Sequence, residues 1–362
     1  MKNIYTQLFD LLQKKKPIAL GTIIETKGSS PQVPGASAIF SADGLVAGTL
    51  GGGWLEADAQ KRVLAALKKR ETLLCEFSLN ADINAGEGAI CGGYIHILID
   101  ARPEAHRDTF RDVVQSIDSR RSGALATFIS KTSGERVELF RNWIDVKDTS
   151  SGESGALLSV FQEEIDHAMS TGKPALLKTE KEISPAGVGD TSLFLEPIFP
   201  LPQLVIAGAG HIGQVLAHIG SLLSFEVTVI DDRPEFANRE KLPEADHIIV
   251  NDIGMAMHDF PTSLDTYIVI VTRGHQQDAE ALRHVIASDA AYIGMIGSKR
   301  KIALMRSKFI EKGWATAGLF DHVHAPIGIE IHSETVEEIA ISIAAQLVQA
   351  RSSMKDKTKD SK

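Results

Sequence analysis

Cysteine is scarce in this chain: Cys75 and Cys91 are the only two in 362 residues. Two thiols cannot build a disulfide framework, so a reducing, cytoplasmic setting is expected. Long apolar runs are missing as well. None approaches the ~20 residues of a membrane-spanning helix, and the opening MKNIYTQLFDLLQKKK spaces its apolar residues helically instead of forming a signal-peptide core. Positive charge is in deficit, with 38 Lys and Arg against 47 Asp and Glu and a formal net charge of -9. That balance argues against non-specific binding to nucleic acid or to an anionic membrane. There is no internal repeat. What remains, 43% hydrophobic and 23% charged, is the composition of a soluble protein with a sizeable core. Its length suggests two domains or three, because single cores seldom grow past roughly 250–300 residues.

Glycine, by contrast, is concentrated. GTLGGGWLEA places Gly51, Gly52 and Gly53 between an apolar run and a helix start, a costly choice unless the backbone conformation or a close neighbour requires it. Around it, PIALGTIIET (17–26), ASAIFS (36–41), TLLCEFSL and YIHILID read as strands. A first helix is expected within MKNIYTQLFDLLQKKK, with Ile4, Leu8, Leu11 and Leu12 at helical spacing, and further helices over about 55–69 and 104–117, with several weaker strands up to LFLEPIFP and a polar loop at 148–155. From LPQLVIAGAGHIG onward, short apolar strands alternate with helices: LVIAG, FEVTVID, HIIV, YIVIVT and AAYIGMIG. Alternation of this kind predicts a doubly wound parallel sheet. The expected fold is therefore α/β, with an N-terminal α+β domain (1–198), a C-terminal Rossmann-like domain (199–350) and a disordered charged tail (351–362).

GAGHIG (208–213) has the G-x-G-x-x-G spacing between a strand and a helix. Gly208 suits the tight turn, Gly210 the approach of a pyrophosphate, and Gly213 close helix packing. Asp231, at the end of the next strand, stands where a carboxylate would grip a ribose hydroxyl. The alternative is a Rossmann-type domain with a vestigial nucleotide site. Ligands of such sheets bind beyond the carboxyl ends of the strands. That edge would collect DDRPEF, NDIG, TRGHQQD and GSKRK, and with them Arg273 and His275. In TRGHQQD, Arg273, His275 and Asp278 together point to a site; the alternative is that Asp278 supports the helix start while Arg273 is a solvated charge.

Ser298 is a candidate N-cap that puts Lys299, Arg300 and Lys301 in a first helical turn, where cations are disfavoured unless an anion is near. A merely solvated basic face is the competing explanation. The spacing of His322, His324 and His332 fits no zinc cage, and His324 is the one placed toward the cleft. In the first domain GTLGGG reads as a backbone cradle for an anion. AICGGY sets Cys91 beside Gly92, as an accessible thiol or as a small buried hydrophobe, whereas Cys75 belongs to the core.

Together these motifs resemble the xanthine dehydrogenase accessory family, XdhC/CoxI. The resemblance rests on GSSPQVPGA, DGLVAGTLGGGWLE, ICGGYIHILI, GAGHIG, VTVIDDRPEFAN, TRGHQQD, AAYIGMIGSKRK and HAPIGIEI with ETVEEIAISIAAQLV. It implies a carrier and insertion chaperone more than an enzyme. Such a factor holds molybdenum cofactor of the molybdopterin type, supports its sulfuration with a cysteine desulfurase, and hands it to a molybdenum hydroxylase apo-enzyme. Cys91 would be the ligand to the molybdenum, and Glu56 with the triple glycine would line the same cleft between the domains. A homodimer is the expected assembly. One departure stands out, because many relatives have cysteine where this chain has Trp54. The competing reading is an NAD(P)-dependent oxidoreductase built on GAGHIG and Asp231, with His275 as proton donor.

Overall fold

The computed structural model describes residues 3–78, 93–131, 136–145, 153–179 and 190–360. Cys91 and Gly92 lie outside them. The chain divides into two units at Pro200/Leu201, two residues beyond the boundary expected from sequence.

Side-chain alternation organises the N-terminal unit. In β1 (Ile18–Gly28), Ala19 and Ile23 point to one face while Ile18, Leu20 and Ile24 point to the other. The sheet has the order β3-β2-β1-β5-β4, with β2 Ser37–Ser41, β3 Gly44–Gly48, β4 Leu73–Ser78 and β5 Gly93–Asp100, and all neighbours are antiparallel. Helix α2 (Gly53–Lys69) covers the first face with Leu55, Ala59, Val63 and Ala66, a stripe at helical spacing. The second face receives α1 (Ile4–Gln13) through Tyr5, Leu8 and Leu12, and α3 (Arg107–Asp118) through Phe110 and Val113, α3 following a 3-10 turn at Pro103–His106. Asn3 caps α1 by accepting a hydrogen bond from the Tyr5 amide at 2.9 Å.

A second antiparallel sheet of the same unit has the order β7-β6-β9-β8, from β6 Gly123–Lys131, β7 Val137–Asp145, β8 Ala175–Thr179 and β9 Asp190–Ile198. Ile129, Val137 and Phe194 of this sheet pack with Ile24 and Leu98 of the first. Its other face holds α4 (Glu153–Thr171) through Phe161 and Ile165. The sequence pattern here predicts only weak strands and no helix. A break at Phe161, with φ -117°, interrupts the helical period and hides it.

The C-terminal unit is the parallel sheet that the alternating strands predicted. Strands β10 (Gln203–Ala207), β11 (Glu226–Asp231), β12 (His247–Val250), β13 (Thr266–Ile270) and β14 (Tyr292–Met295) lie in the order β12-β11-β10-β13-β14. Strand order reverses direction between β10 and β13, which opens a crevice at their carboxyl ends. Leu204 and Ile206 face α5 (His211–Leu222) and α10 (Val336–Asp360). Val205 and Ala207 face α6 (Ile253–Asp259), α7 (His275–Val285), α8 (Lys299–Glu311) and α9 (Ala317–Asp321).

Helix α10 begins with a reciprocal cap. The Thr335 hydroxyl accepts from the Glu338 amide at 3.2 Å, and the Glu338 carboxylate accepts from the Thr335 amide at 3.0 Å. It runs on to Asp360, through the segment expected to be disordered. No glycine or proline occurs after Val336, so nothing in the chain stops the helix. Among the described residues, no helix is long and apolar enough to cross a membrane.

Candidate functional site

The three fingerprint glycines divide their work. Gly208 has φ +121°, and a Cβ there would stand 2.4 Å from the Val271 carbonyl oxygen. A Cβ on Gly213 would stand 1.9 Å from the carbonyl oxygen of Gly208. Gly210 is the N-cap of α5 and would meet nothing within 4 Å. Two glycines are therefore required by the turn and by helix–strand packing, while the middle one presents bare backbone to open space. A loop of this form admits an anionic group at the start of a helix.

Asp231 does not stand free for a ribose. It is buried, and one oxygen accepts from the Ala209 amide at 2.7 Å. The Arg233 guanidinium grips both oxygens at 2.8 and 2.9 Å, and the Arg233 amide adds a bond at 3.0 Å. Burial works against its charge, but these donors outweigh it and hold the carboxyl below the usual carboxylate range. Asp231 is thus the brace of the glycine turn.

Its neighbour Asp232, at the carboxyl end of β11, is only partly exposed. Asp232 Oδ2 accepts from Arg273 at 2.8 Å and from the Gln277 side-chain amide at 3.1 Å. Its other oxygen, Oδ1, is buried without a hydrogen-bond donor, and so is Gln277 Oε1. The Arg233 Nε stands 3.9 Å from Oδ1, too far for a hydrogen bond. Two buried acceptors lacking donors are costly unless something supplies them.

Asp278 is satisfied inside the fold. It is fully buried and accepts from the Thr272 hydroxyl at 2.6 Å, the Thr272 amide at 3.2 Å and the Lys301 ammonium at 2.6 Å. One of the three first-turn cations of α8 is thereby neutralised internally. Ser298 caps that helix as expected, accepting from the Lys301 amide at 3.3 Å. Among the described residues, Lys299 and Arg300 have no carboxylate within ion-pair distance. His275, at the start of α7, shares with Ser298 and Arg300 the lining of a cavity of about 420 Å³.

His324 does not line that cavity. Its ring stacks on Tyr292, the first residue of β14, at 4.6 Å, and its backbone bridges to Gly294. Desolvation there lowers its pKa below that of a free imidazole.

In the N-terminal unit the triple glycine is explained by backbone conformation. Gly51, Gly52 and Gly53 have φ of +118°, +71° and +58°, a region that costs an L side chain. Pro31 stands 2.9 Å from a Cβ on Gly51, whereas Gly52 and Gly53 would meet nothing within 4 Å. Glu56 folds back on this loop and accepts from the Thr49 hydroxyl at 2.8 Å and the Leu50 amide at 3.0 Å. The exposed Trp54 follows. Cys75 is buried, and burial raises its thiol pKa.

Comparison with known proteins agrees with both units. The XdhC and CoxI family matches residues 11–78, and the XdhC Rossmann domain matches residues 204–347. The chain belongs to the XdhC/CoxI family. It is 27% identical over 354 residues to a probable xanthine dehydrogenase subunit from Bacillus subtilis, covering 97% of this chain and 98% of that protein. A second relative, "Uncharacterized protein YqeB" of Escherichia coli, is 25% identical over 96% of this chain and 46% of its own length. A crystal structure described as a xanthine dehydrogenase from Bacillus halodurans superposes with a TM-score of 0.75 at 25% identity, over 96% of each chain.

Two polar residues of this XdhC/CoxI member are not singled out by any sequence motif of their own. Asp232 and Gln277 sit inside motifs already singled out, DDRPEF and TRGHQQD. The second acid of a DD pair was the available signal. Which of the two would be braced and which would keep an oxygen without a donor depends on where Ala209 and Arg273 come to lie.

Proposed function

We propose that this protein is an accessory factor for a xanthine-dehydrogenase-type molybdenum hydroxylase. In this reading it binds molybdenum cofactor, assists its sulfuration with a cysteine desulfurase, and delivers it to the apo-enzyme. Family membership and the name of the Bacillus subtilis relative support the association with such an enzyme. One structural observation carries the cofactor part. Asp232 Oδ1 and Gln277 Oε1 are buried acceptors without donors, beside a helix start with bare backbone at Gly210. A ligand presenting N–H or O–H donors and an anionic group satisfies both features at once. The donor edge of a pterin and its phosphate have that chemistry. When bound, the cofactor supplies the redox-active molybdenum that the hydroxylase needs. The chain's own residues accept hydrogen bonds from it at Asp232 and Gln277, offer amides at the start of α5, and hold positive charge near it at Arg273. The metal end calls for a soft ligand. Cys75 is buried in β4, and Cys91 lies outside the described residues.

The test is anaerobic purification of the full chain followed by molybdenum analysis and pterin fluorescence. Asp232→Asn replaces an acceptor by a donor and is expected to lower pterin stoichiometry severalfold at unchanged thermal stability. Unchanged stoichiometry refutes the assignment. The orphaned acceptors also suit a ribose diol, which favours NAD(P) as the second reading. Titration with NADH separates the two, since absence of saturable binding at millimolar concentration removes the dinucleotide.

A further inference from the structure

The cavity between α7 and α8 is lined partly by His275, Ser298 and Arg300, which the sequence pattern set at the ligand edge. The rest of the lining includes Ala279, Leu304, Met305 and Lys308, none of which takes part in the contacts at Asp232 and Gln277. Ala279 and Met305 form an apolar floor, each about 6% exposed. Along the rim, Arg300, Leu304 and Lys308 follow one another at intervals of four residues, so α8 presents them as a single stripe about 12 Å long. Leu304 is 65% exposed within that stripe.

The charge there runs against the rest of the chain. On a protein of net charge -9, the segment KRKIALMRSKFIEK carries Lys299, Arg300, Lys301, Arg306, Lys308 and Lys312 against one acid, Glu311. Lys301 is spent on Asp278, and Arg306 on Asp321 at 2.8 and 3.1 Å. Among the described residues Arg300 and Lys308, which border the cavity, have no carboxylate within ion-pair distance; the Lys308 ammonium lies 5.8 Å from the Trp314 ring centre. Arg300 also stands in the first turn of α8, where the helix dipole opposes a cation. A guanidinium in that position suits a planar or tetrahedral anion.

We infer that this cavity is a second ligand site, for a small organic anion with a flat apolar body. The body lies on Ala279, Leu304 and Met305, and the carboxylate or phosphate ester pairs with Arg300 and Lys308. The volume of about 420 Å³ falls within the range of small-molecule sites, roughly 300–1,000 Å³. Cavity shape, exposed leucine and two unneutralised cations are independent of the orphaned acceptors at Asp232 and Gln277, so either site can fail without the other.

The probe is 1-anilinonaphthalene-8-sulfonate, titrated into the full chain with fluorescence detection. Saturable one-site binding is expected, and Arg300→Glu and Lys308→Glu are each expected to weaken it roughly tenfold, the usual consequence of placing a like charge against a bound anion. Leu304→Ala is expected to weaken it severalfold, and Asp232→Asn to leave it unchanged. All these side chains reach solvent, and thermal unfolding checks that each variant folds. Displacement by 1-naphthoate or by 1-naphthyl phosphate tells which head group the site prefers, and inorganic phosphate, lacking the apolar body, should compete poorly. The inference is overturned by non-saturable dye binding, by charge reversals that leave affinity within twofold, or by loss of binding in Asp232→Asn.

Discussion

Replacing Gly213 and Gly210 by alanine, one at a time, separates the two demands on the fingerprint turn. In Gly213→Ala the new methyl falls 1.9 Å from the Gly208 carbonyl oxygen and 3.0 Å from its carbon. An ordinary contact needs more than 3 Å, so α5 must move away from the turn by at least about 1 Å, and overpacking of this kind costs about 1–3 kcal/mol. Alanine's better helix propensity offsets at most about 1 kcal/mol of that. In Gly210→Ala the methyl enters open space at φ -67°. The weaker N-cap and the stiffer unfolded chain nearly cancel there, leaving a change within about 1 kcal/mol. Urea denaturation of both variants, followed by circular dichroism, measures the difference directly. Pterin or nucleotide retention should show the reverse order of sensitivity, because only Gly210 faces the space where an anion would lie. A Gly213→Ala protein as stable as the parent would refute the packing argument. So would a Gly210→Ala protein that loses more stability than Gly213→Ala.

Two further outcomes are expected. Glu196 accepts from the Tyr5 hydroxyl at 2.6 Å, and desolvation lifts its pKa to about 7 although that bond and Arg141 oppose the rise. Its folded pKa is therefore above the unfolded one. The stabilisation is complete below about pH 4 and is lost as pH rises through 7, by about 3 kcal/mol in all. Glu196→Gln should flatten this slope in urea denaturation between pH 5 and 8; an unchanged slope would mean that another group titrates. Lys301→Met strands the buried Asp278 carboxylate with only the Thr272 donors and should cost about 3–5 kcal/mol. Adding Asp278→Asn should recover part of that loss, and strict additivity of the two in denaturation would exclude the pair as a coupled unit.

The parallel sheet was legible because each of its strands is a short apolar run bounded by turn residues, and because GAGHIG carries its own geometry. Gly208 and Gly213 do what their spacing implies. The cap at Ser298 and the reciprocal cap at Thr335 and Glu338 were likewise readable, since capping involves residues three apart. Helix α4 was not readable, because its period breaks at Phe161. Strand β3, only five residues long, and the short helices α6 and α9 are too brief to show a period of their own. The role of Asp231 was misjudged for a different reason. Spacing put it at the correct strand end, but its partner Ala209 lies 22 residues earlier, and only folding brings that amide within reach.

The sequence by itself determined much of the backbone: the longer strands, where glycine is obligatory, and that the second half winds as an open parallel sheet. These follow from local forces, namely side-chain period, φ preference and capping, each acting over a few residues. Only the tertiary structure decided the fate of the charges. Asp231 is consumed by Arg233 and Ala209, and Asp278 by Lys301, while Asp232, Gln277, Arg300 and Lys308 keep capacity for a ligand. Pairing of charged groups depends on distances between residues far apart in the chain, and those distances exist only after the sheet has formed.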